Sequence, residues 1–406
     1  MIELGGDANN SGGAPLEKLE RNHVYQLLCR FMQKTVSLDI DLTVCPWIAL
    51  EPQVEEVKDI QITNCYVVPP GGRVHIPTDG VYKAWAQMDE FERTPIPEGE
   101  VTAEVLWQDG IGVMTERSVK VMNAEKRDKA YIVVETGNKA GNAVVAMKVN
   151  GEIYWSWHIW CTDYNPNLKE GQQELNGFVW MDRNLGATYN KYNEEGGIKS
   201  KGFLYQWGRK DPFPPAKGWE KTEPDEDLYS VAGEVRTISR VPVEVFNNIP
   251  NSVHNSMSFY TSEESWYTNA KGIYRRNYLG NLWNSGVGKK TIFDPCPDGW
   301  RVPVGKDGEY ESPWEQAKKN VTPLVRYKGF SLKGIYYPAA GYRELLTGNM
   351  PNNSFLDNAL YWAGNIPSLY IQPSCMHYTL IDLTGYSFYI SVAWDAYGGS
   401  VRCVKE

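Results

Sequence analysis

Apolar and polar residues alternate in short runs along most of this chain, and long helical periods are scarce. Between Thr35 and Trp47, Val36, Leu38, Ile40, Leu42 and Val44 alternate with Ser37, Asp39, Asp41 and Thr43. Successive strand residues face opposite ways, so this predicts a half-buried β-strand. The apolar run from Arg21 to Met32 precedes it, and the short Gln33-Lys34 link makes the pair a hairpin. Thr102 to Gln108 and Tyr131 to Glu135 read as further strands. Asn142 to Val149 and Glu152 to Cys161 flank Asn150-Gly151, a dipeptide suited to the positive φ angles of a tight hairpin turn. Asn64 to Pro77 reads as strand, Pro/Gly turn, strand. Two helical segments are expected. One spans Val81 to Phe91. The other is short, from Ser312 to Asn320, with Ser312 as cap, Pro313 at the first helical position and Glu315 in the first turn.

The pattern divides the chain. Residues 5 to 15 are low-complexity and read as loop. The polar stretch from Thr162 to Gly171 reads as a boundary, and from Gly177 the texture changes to short apolar clusters with frequent Gly. At 406 residues the chain exceeds one ordinary core. The expectation is a mostly β protein with an α+β C-terminal domain, in three parts: 1–50, 51–165 and 172–406.

Composition narrows the partners. Aromatics make up 13% of the chain, with 15 Trp and 25 Tyr, which suits strands and binding surfaces more than helices. The net charge of -9 argues against nucleic acid and anionic bilayers, which both require a basic footprint. No apolar run approaches the roughly 18 residues of a membrane span. The first residues carry neither a basic start nor an apolar run, so they are not a secretion signal; taken alone this reads as cytoplasmic. Of the seven cysteines, an odd number, at least one is free. Cys29 and Cys45 lie on paired strands and could approach each other. Cys296 sits in a rigid Pro/Gly turn, and Cys403 on an alternating terminal strand with Val401. Their apolar settings suggest that the two segments meet, as a bridge or as two buried thiols.

Several motifs carry a resemblance. Phe178-Val-Trp-Met-Asp-Arg-Asn-Leu-Gly-Ala187, Gly202-Phe-Leu-Tyr-Gln-Trp-Gly-Arg-Lys-Asp211, Cys296-Pro-Asp-Gly-Trp-Arg-Val-Pro303, Gly334-Ile-Tyr-Tyr-Pro-Ala-Ala-Gly-Tyr-Arg343, Tyr361-Trp-Ala363 and Gly398-Gly-Ser-Val-Arg-Cys403 follow in order over the last part. Together they resemble the Fibrobacter succinogenes major paralogous domains of Bacteroidetes and Fibrobacter surface proteins, related to C-type-lectin-like and formylglycine-generating-enzyme folds. "LERNHVYQL" with its following strand resembles the last hairpin of the fimbrillin pilus-subunit domain. The segment from Gly141 to Pro166 resembles the closing hairpin of immunoglobulin-like surface modules. These resemblances imply a fimbrillin-like hairpin, an Ig-like β-sandwich and an irregular lectin-like head. They imply a Cys296–Cys403 disulfide and an extracellular or outer-membrane location, with the sequence starting inside a longer precursor that carries the signal.

Candidate chemistry is sparse. The histidines (His23, His75, His158, His254, His377) lie far apart, Cys375-Met-His377 is the one close Cys/His pair, and no C-x-x-C occurs; no metal or cofactor is expected. The paired cysteines of formylglycine-generating enzymes are not reproduced, since Cys375 and Cys403 are well separated. There is no G-x-S-x-G nucleophile motif. Trp155, Trp157 and Ile159 alternate with Ser156, His158 and Trp160; a ring platform is one reading and core the other. Trp180, Trp207, Trp300 and Trp362 fall inside the motifs and read as core. Between Leu345 and Gly399, tyrosines mix with Asn, Ser, Thr and Gly, a composition suited to binding on a scaffold; an inert loop is the alternative. The binding surface is expected from Tyr370, His377, Tyr378, Tyr386, Tyr389, Trp394, Asp395 and Tyr397. The expected protein is a non-catalytic adhesin subunit of tip type, at a cell surface or pilus. Its partner would be a glycan or a host or bacterial surface protein, with other pilus subunits as neighbours. A glycan-use accessory protein and a structural stalk are the alternatives.

Overall fold

The computed structural model describes residues 24–31, 38–45 and 60–406, except 128, 176, 192–197, 220–224, 271–281, 285–288, 306–313, 315–320, 325–328, 351–357, 368–369, 371 and 381–385. The expected helix over 312–320 lies outside the described residues apart from Trp314. The chain falls into two compact units, Met1–Asp59 and Ile60–Glu406.

In the first unit, β1 (Val24–Phe31) and β2 (Leu38–Cys45) form the expected antiparallel hairpin. Its register sets Cys29 opposite Ile40 and Cys45 opposite Val24. The two cysteines are thus offset by several residues at about 3.3 Å each, beyond the reach of a disulfide. The anticipated approach of Cys29 to Cys45 is corrected accordingly.

The second unit is mostly β. Its first part contributes β3 (Cys65–Val68), β4 (Arg73–Pro77), β5 (Val101–Gln108), β6 (Val119–Met122), β7 (Tyr131–Glu135), β8 (Gly141–Val149) and β9 (Glu152–Cys161). One sheet is β4-β7-β6; a larger one runs through β5-β8-β9-β3. This two-sheet arrangement fits an Ig-like sandwich. Asn150 and Gly151 adopt φ of 53° and 85° at the β8–β9 turn, as the dipeptide predicts. Helix α1 runs Asp79–Gln87 and buries Val81, Ala84 and Trp85 on one face. It does not continue to Phe91. Met88 is extended, with ψ 139°, and a short 3-10 turn, Asp89–Phe91, follows. That break brings Phe91 onto Trp85, ring centroids 4.5 Å apart.

The larger sheet does not end with its own strands. The segment Leu228–Tyr229 joins the free edge of β5, pairing Tyr229 with Gln108, and Val235–Arg236 extends it again. At the opposite edge Cys65 bridges to Pro297. Polar groups stitch the same seam. Asn64 Nδ2 donates to Ile292 O (2.6 Å) and Asp294 O (2.9 Å). Asn142 Nδ2 donates to Gly186 O (2.9 Å). One buried cluster contains side chains from Cys65 to Cys403, so the polar stretch 162–171 does not divide the core. Trp155, Trp157, Trp160, Trp180, Trp207, Trp300 and Trp362 are all fully buried, which decides the aromatic stripe as core.

The last part is built on a five-stranded sheet in the order Leu204–Gln206, Gly398–Ser400, Asn358–Trp362, Ser374–Leu380, Tyr386–Val392. Strand parity divides its faces. Leu360, Trp362 and Cys375 enter the main core, while Ala359, Tyr361, Met376, Tyr378 and Phe388 pack in a second cluster with Trp180, Trp314, Phe330 and Tyr337. The terminal strand Val404–Lys405 lies between Phe178–Met181 and Trp300–Arg301. Beside it Cys296 and Cys403 form the disulfide, Cα atoms 6.1 Å apart.

Candidate functional site

Tyrosine 342 and Tyr397 come together because the backbones of Arg343 and Gly398 bond to each other in both directions, at 2.8 and 3.0 Å. Their rings meet edge to face, 5.4 Å apart at 89°. Trp394 begins the turn that carries Tyr397, its carbonyl accepting the Tyr397 N–H at 3.1 Å. On the neighbouring strands His377 stands opposite Tyr389, and the two rings stack at 5.1 Å and 9°. The Tyr389 phenol is among the charges that raise Tyr342, which puts the two ring pairs within electrostatic range of each other and makes them a candidate strip. Tyr389 is 45% exposed; His377, Tyr342, Trp394 and Tyr397 are half-buried, and the last three rest on the main core. The base of the strip is fixed and its outer rings reach solvent.

Glu344 is the carboxylate of the strip. Tyr342 and Glu344 share parity, and Arg343 between them points the other way. Its guanidinium is fully buried, donating to Pro214 O (2.7 Å) and Gly348 O (2.6 Å) and paired with Asp225 at 2.9 Å. Glu344 Oε2 accepts from the Leu346 and Thr347 N–H groups and so closes the following turn. Burial, then Tyr397, Glu344 and Tyr389, push Tyr342 up to about 12. Burial and Glu344 raise Tyr397. Burial lowers His377 to about 4. At neutral pH the rings are therefore uncharged hydrogen-bonding groups.

The eight expected binding residues do not all belong to this surface. Tyr378 is fully buried. It faces Phe388 across the strand pair, lies 4.6 Å from the Phe330 ring and donates to Gly329 O. Asp395 is also fully buried and accepts from Ser265 Oγ at 2.9 Å. Both are corrections: strand parity and a closing turn put these groups in the core, away from solvent. Tyr386 is 39% exposed, yet it lies three positions from Tyr389 and so on the other face, its ring 6.0 Å from that of Tyr378. Tyr370 is exposed on the loop between Asn358–Trp362 and Ser374–Leu380. Tyr342 and Glu344 were missed because their segment reads as a core motif. The signal was present in Gly341-Tyr-Arg-Glu344, where alternate residues take opposite sides.

Other chemistry-bearing groups are structural. Cys375 Sγ lies 3.2 Å from His377 Nε2, but burial raises the thiol and lowers the imidazole, so the pair is neutral rather than a thiolate–imidazolium couple. Cys403 is bridged to Cys296 and cannot join Cys375. Among the described residues no three His, Cys, Asp or Glu side chains gather as a metal site would need. None of their helices is long and apolar enough to cross a membrane.

His158 occupies the seam. Asn142 Nδ2 donates to Asp109 Oδ2 and Gly186 O, which leaves Asn142 Oδ1 to accept from His158 Nε2–H at 2.9 Å. The other ring nitrogen faces the Tyr205 hydroxyl at 3.4 Å. Burial lowers His158 to about 3. Below about 6.5 the unfolded chain takes up a proton that the folded chain refuses, so the contribution of His158 to stability is present at neutral pH and lost as pH falls. The stability difference between the parent and His158→Gln is expected to be flat above pH 7 and to narrow by on the order of 2 kcal/mol by pH 4.5. Urea unfolding of both at each pH measures it; a difference that widens in acid contradicts the assignment.

Comparison with family models, curated proteins and solved structures returned no match.

Proposed function

We propose that this chain is a non-catalytic, surface-exposed adhesin subunit, of cell-surface or pilus-tip type, that binds a glycan or protein ligand through its C-terminal part. The observation that carries this reading is the half-exposed strip of Tyr342, His377, Tyr389, Trp394 and Tyr397 on a buried, disulfide-closed base. Rigid aromatic rings give contact area at little entropic cost, and the packing beneath keeps them in place before a ligand arrives. The disulfide supports an oxidising, extracellular location.

Glycan hydrolysis would call for two free convergent carboxyl groups. Burial raises Asp109 to about 6 and Glu226 to about 7, and the charge of Asp109 adds to the rise at Glu226. Both oxygens of Asp109, however, accept from Asn142 at 2.7 Å. That makes Asp109 a structural acceptor in the seam and favours binding over bond chemistry.

The test is Tyr389→Ala combined with Tyr397→Ala in the full chain, assayed on glycan arrays and on immobilised surface proteins. Binding by the parent is expected to fall at least tenfold, with the melting temperature within about 3 °C of the parent, because Tyr389 is half solvent-exposed and Tyr397 partly so. Undiminished binding by the double variant rejects the strip as the ligand surface.

A further inference from the structure

The strand Tyr386–Val392 ends the five-stranded sheet, and among the described residues it pairs on one side only. Its register with Ser374–Leu380 runs without a shift from Leu380 opposite Tyr386 to Ser374 opposite Val392. One position further on, the Ala393 N–H donates to Pro373 O at 3.1 Å. Backbone groups alternate in direction along a strand, so those of Ser387, Tyr389 and Ser391 face the neighbouring strand as Ala393 does. The N–H and C=O groups of Tyr386, Phe388, Ile390 and Val392 then face outward. Among the described residues nothing bonds to them.

An open edge of this kind templates pairing with another chain, and proteins usually blunt it with a charge, a proline or a bulge. Here the sequence is Tyr-Ser-Phe-Tyr-Ile-Ser-Val, which carries none of these. The opposite edge of the sheet is different. Leu204, on the strand at that edge, already bonds to Phe213 in both directions, at 2.9 and 2.8 Å.

The open strand is complementary to itself. Laid antiparallel to a second copy about a two-fold axis at Tyr389, it sets outward groups against outward groups. Phe388 faces the second copy's Ile390, and Tyr386 faces its Val392. Each pair puts an aromatic ring against a β-branched side chain, a favourable cross-strand combination. On the other face Tyr389, which is 45% exposed, meets its own equivalent, and Ser387 meets Ser391. No like charges are opposed. A register centred on Phe388 or Ile390 instead leaves an outward residue of the strand unmatched.

We propose that Tyr386–Val392 is a homodimer interface, through which two copies of this chain pair edge to edge and join their five-stranded sheets into one. The contact is isologous and closes at two. Its axis stands perpendicular to the sheet, so Tyr389 of both copies faces the same way.

Sedimentation velocity of the full chain over a dilution series is the first measurement. A monomer–dimer equilibrium is expected, with a dissociation constant on the order of 10 μM for a single strand pair. Tyr389→Lys and Tyr389→Glu each set like charges across the axis and should weaken association at least tenfold. Mixed in equal amounts, the two variants should associate again as a heterodimer. Each should melt within about 3 °C of the parent, because the side chain replaced is half-exposed. Hydrogen exchange needs no variant. The Phe388 and Ile390 amides should be protected in concentrated protein and lose that protection on dilution, while the Tyr389 and Ser391 amides stay protected throughout. A parent that is still monomeric at about 200 μM overturns the proposal. So does a dimer untouched by both substitutions, a mixture of the variants that stays monomeric, or protection of Phe388 and Ile390 that is indifferent to concentration. No ligand enters these measurements, so their outcome is independent of the strip's role in binding.

Discussion

Reduction of the Cys296–Cys403 bridge, or Cys403→Ser, is expected to cost about 5 kcal/mol of folding stability. The bridge spans 107 positions. Releasing so long a loop in the unfolded chain gives a loss of that order in the chain-entropy model. Few domains hold much more than twice that in total. The loss should act on the whole second unit rather than on its last strand alone. Cys403 O accepts the Met181 N–H at 3.0 Å, and the Glu406 N–H reaches Gly299 O, so the terminal strand joins the opening and the turn of the C-terminal part. Both sheets of the first part share the core that Cys296 and Cys403 enter. A single cooperative transition, lowered on the order of 10 °C by dithiothreitol, is the expected melting result. A reduced protein that melts within 2 °C of the oxidised one would show that the bridge contributes little.

Asp211→Ala is expected to be nearly as damaging, at roughly 3–5 kcal/mol. Asp211, Lys210 and Arg209 are each at most 3% exposed. Lys210 Nζ donates to Asp211 Oδ1 (2.8 Å), Ser156 O (3.0 Å) and Ser156 Oγ (2.5 Å), and Ser156 Oγ–H donates to the same Asp211 oxygen. Arg209 Nε lies 3.7 Å from Asp211 Oδ2. Two buried cations share one anion, and its removal leaves both without a counter-charge. Burial already lowers Lys210 and Arg209. In the variant Lys210 can shed its proton more readily, so the deficit should shrink as pH rises from 7 to 9.5. Lys210→Met with Asp211→Leu removes the lysine and its acid together and should recover at least half of the loss. Urea midpoints of the three proteins decide the matter: an Asp211→Ala midpoint matching the parent at pH 7 would mean that the aspartate is not the counter-charge.

The parts legible in the sequence were those written locally. Asn150-Gly151 specifies its own turn, Leu38 to Val44 its own strand, and the Cys296 and Cys403 segments their apolar settings. What escaped was decided at a distance. Nothing near Tyr229 announces that it will pair with Gln108, because a two-residue strand carries no period. The composition of 345–399 reads as rich in tyrosine, but composition does not say which way a ring points. Tyr389 stands on one face and Tyr378 with Tyr386 on the other, and that parity is fixed only once the register with Ser374–Leu380 is known. Met88, which breaks the expected helix, does so to seat Phe91 on Trp85, a preference of packing and not of helix propensity.

The seam between the two parts of the second unit bears on inheritance. Modules that meet through a flexible linker can be exchanged between proteins one at a time. Here Gln108–Tyr229, Asn142–Gly186, Asn64–Asp294 and Ser156–Lys210 each place one partner on either side of residue 170. A recombination event at the polar stretch 162–171 would orphan all four at once, bare the edge of β5 and open a shared core. The unit that can be exchanged whole is therefore the span from Ile60 to Glu406, and substitutions on its two sides are expected to be selected together.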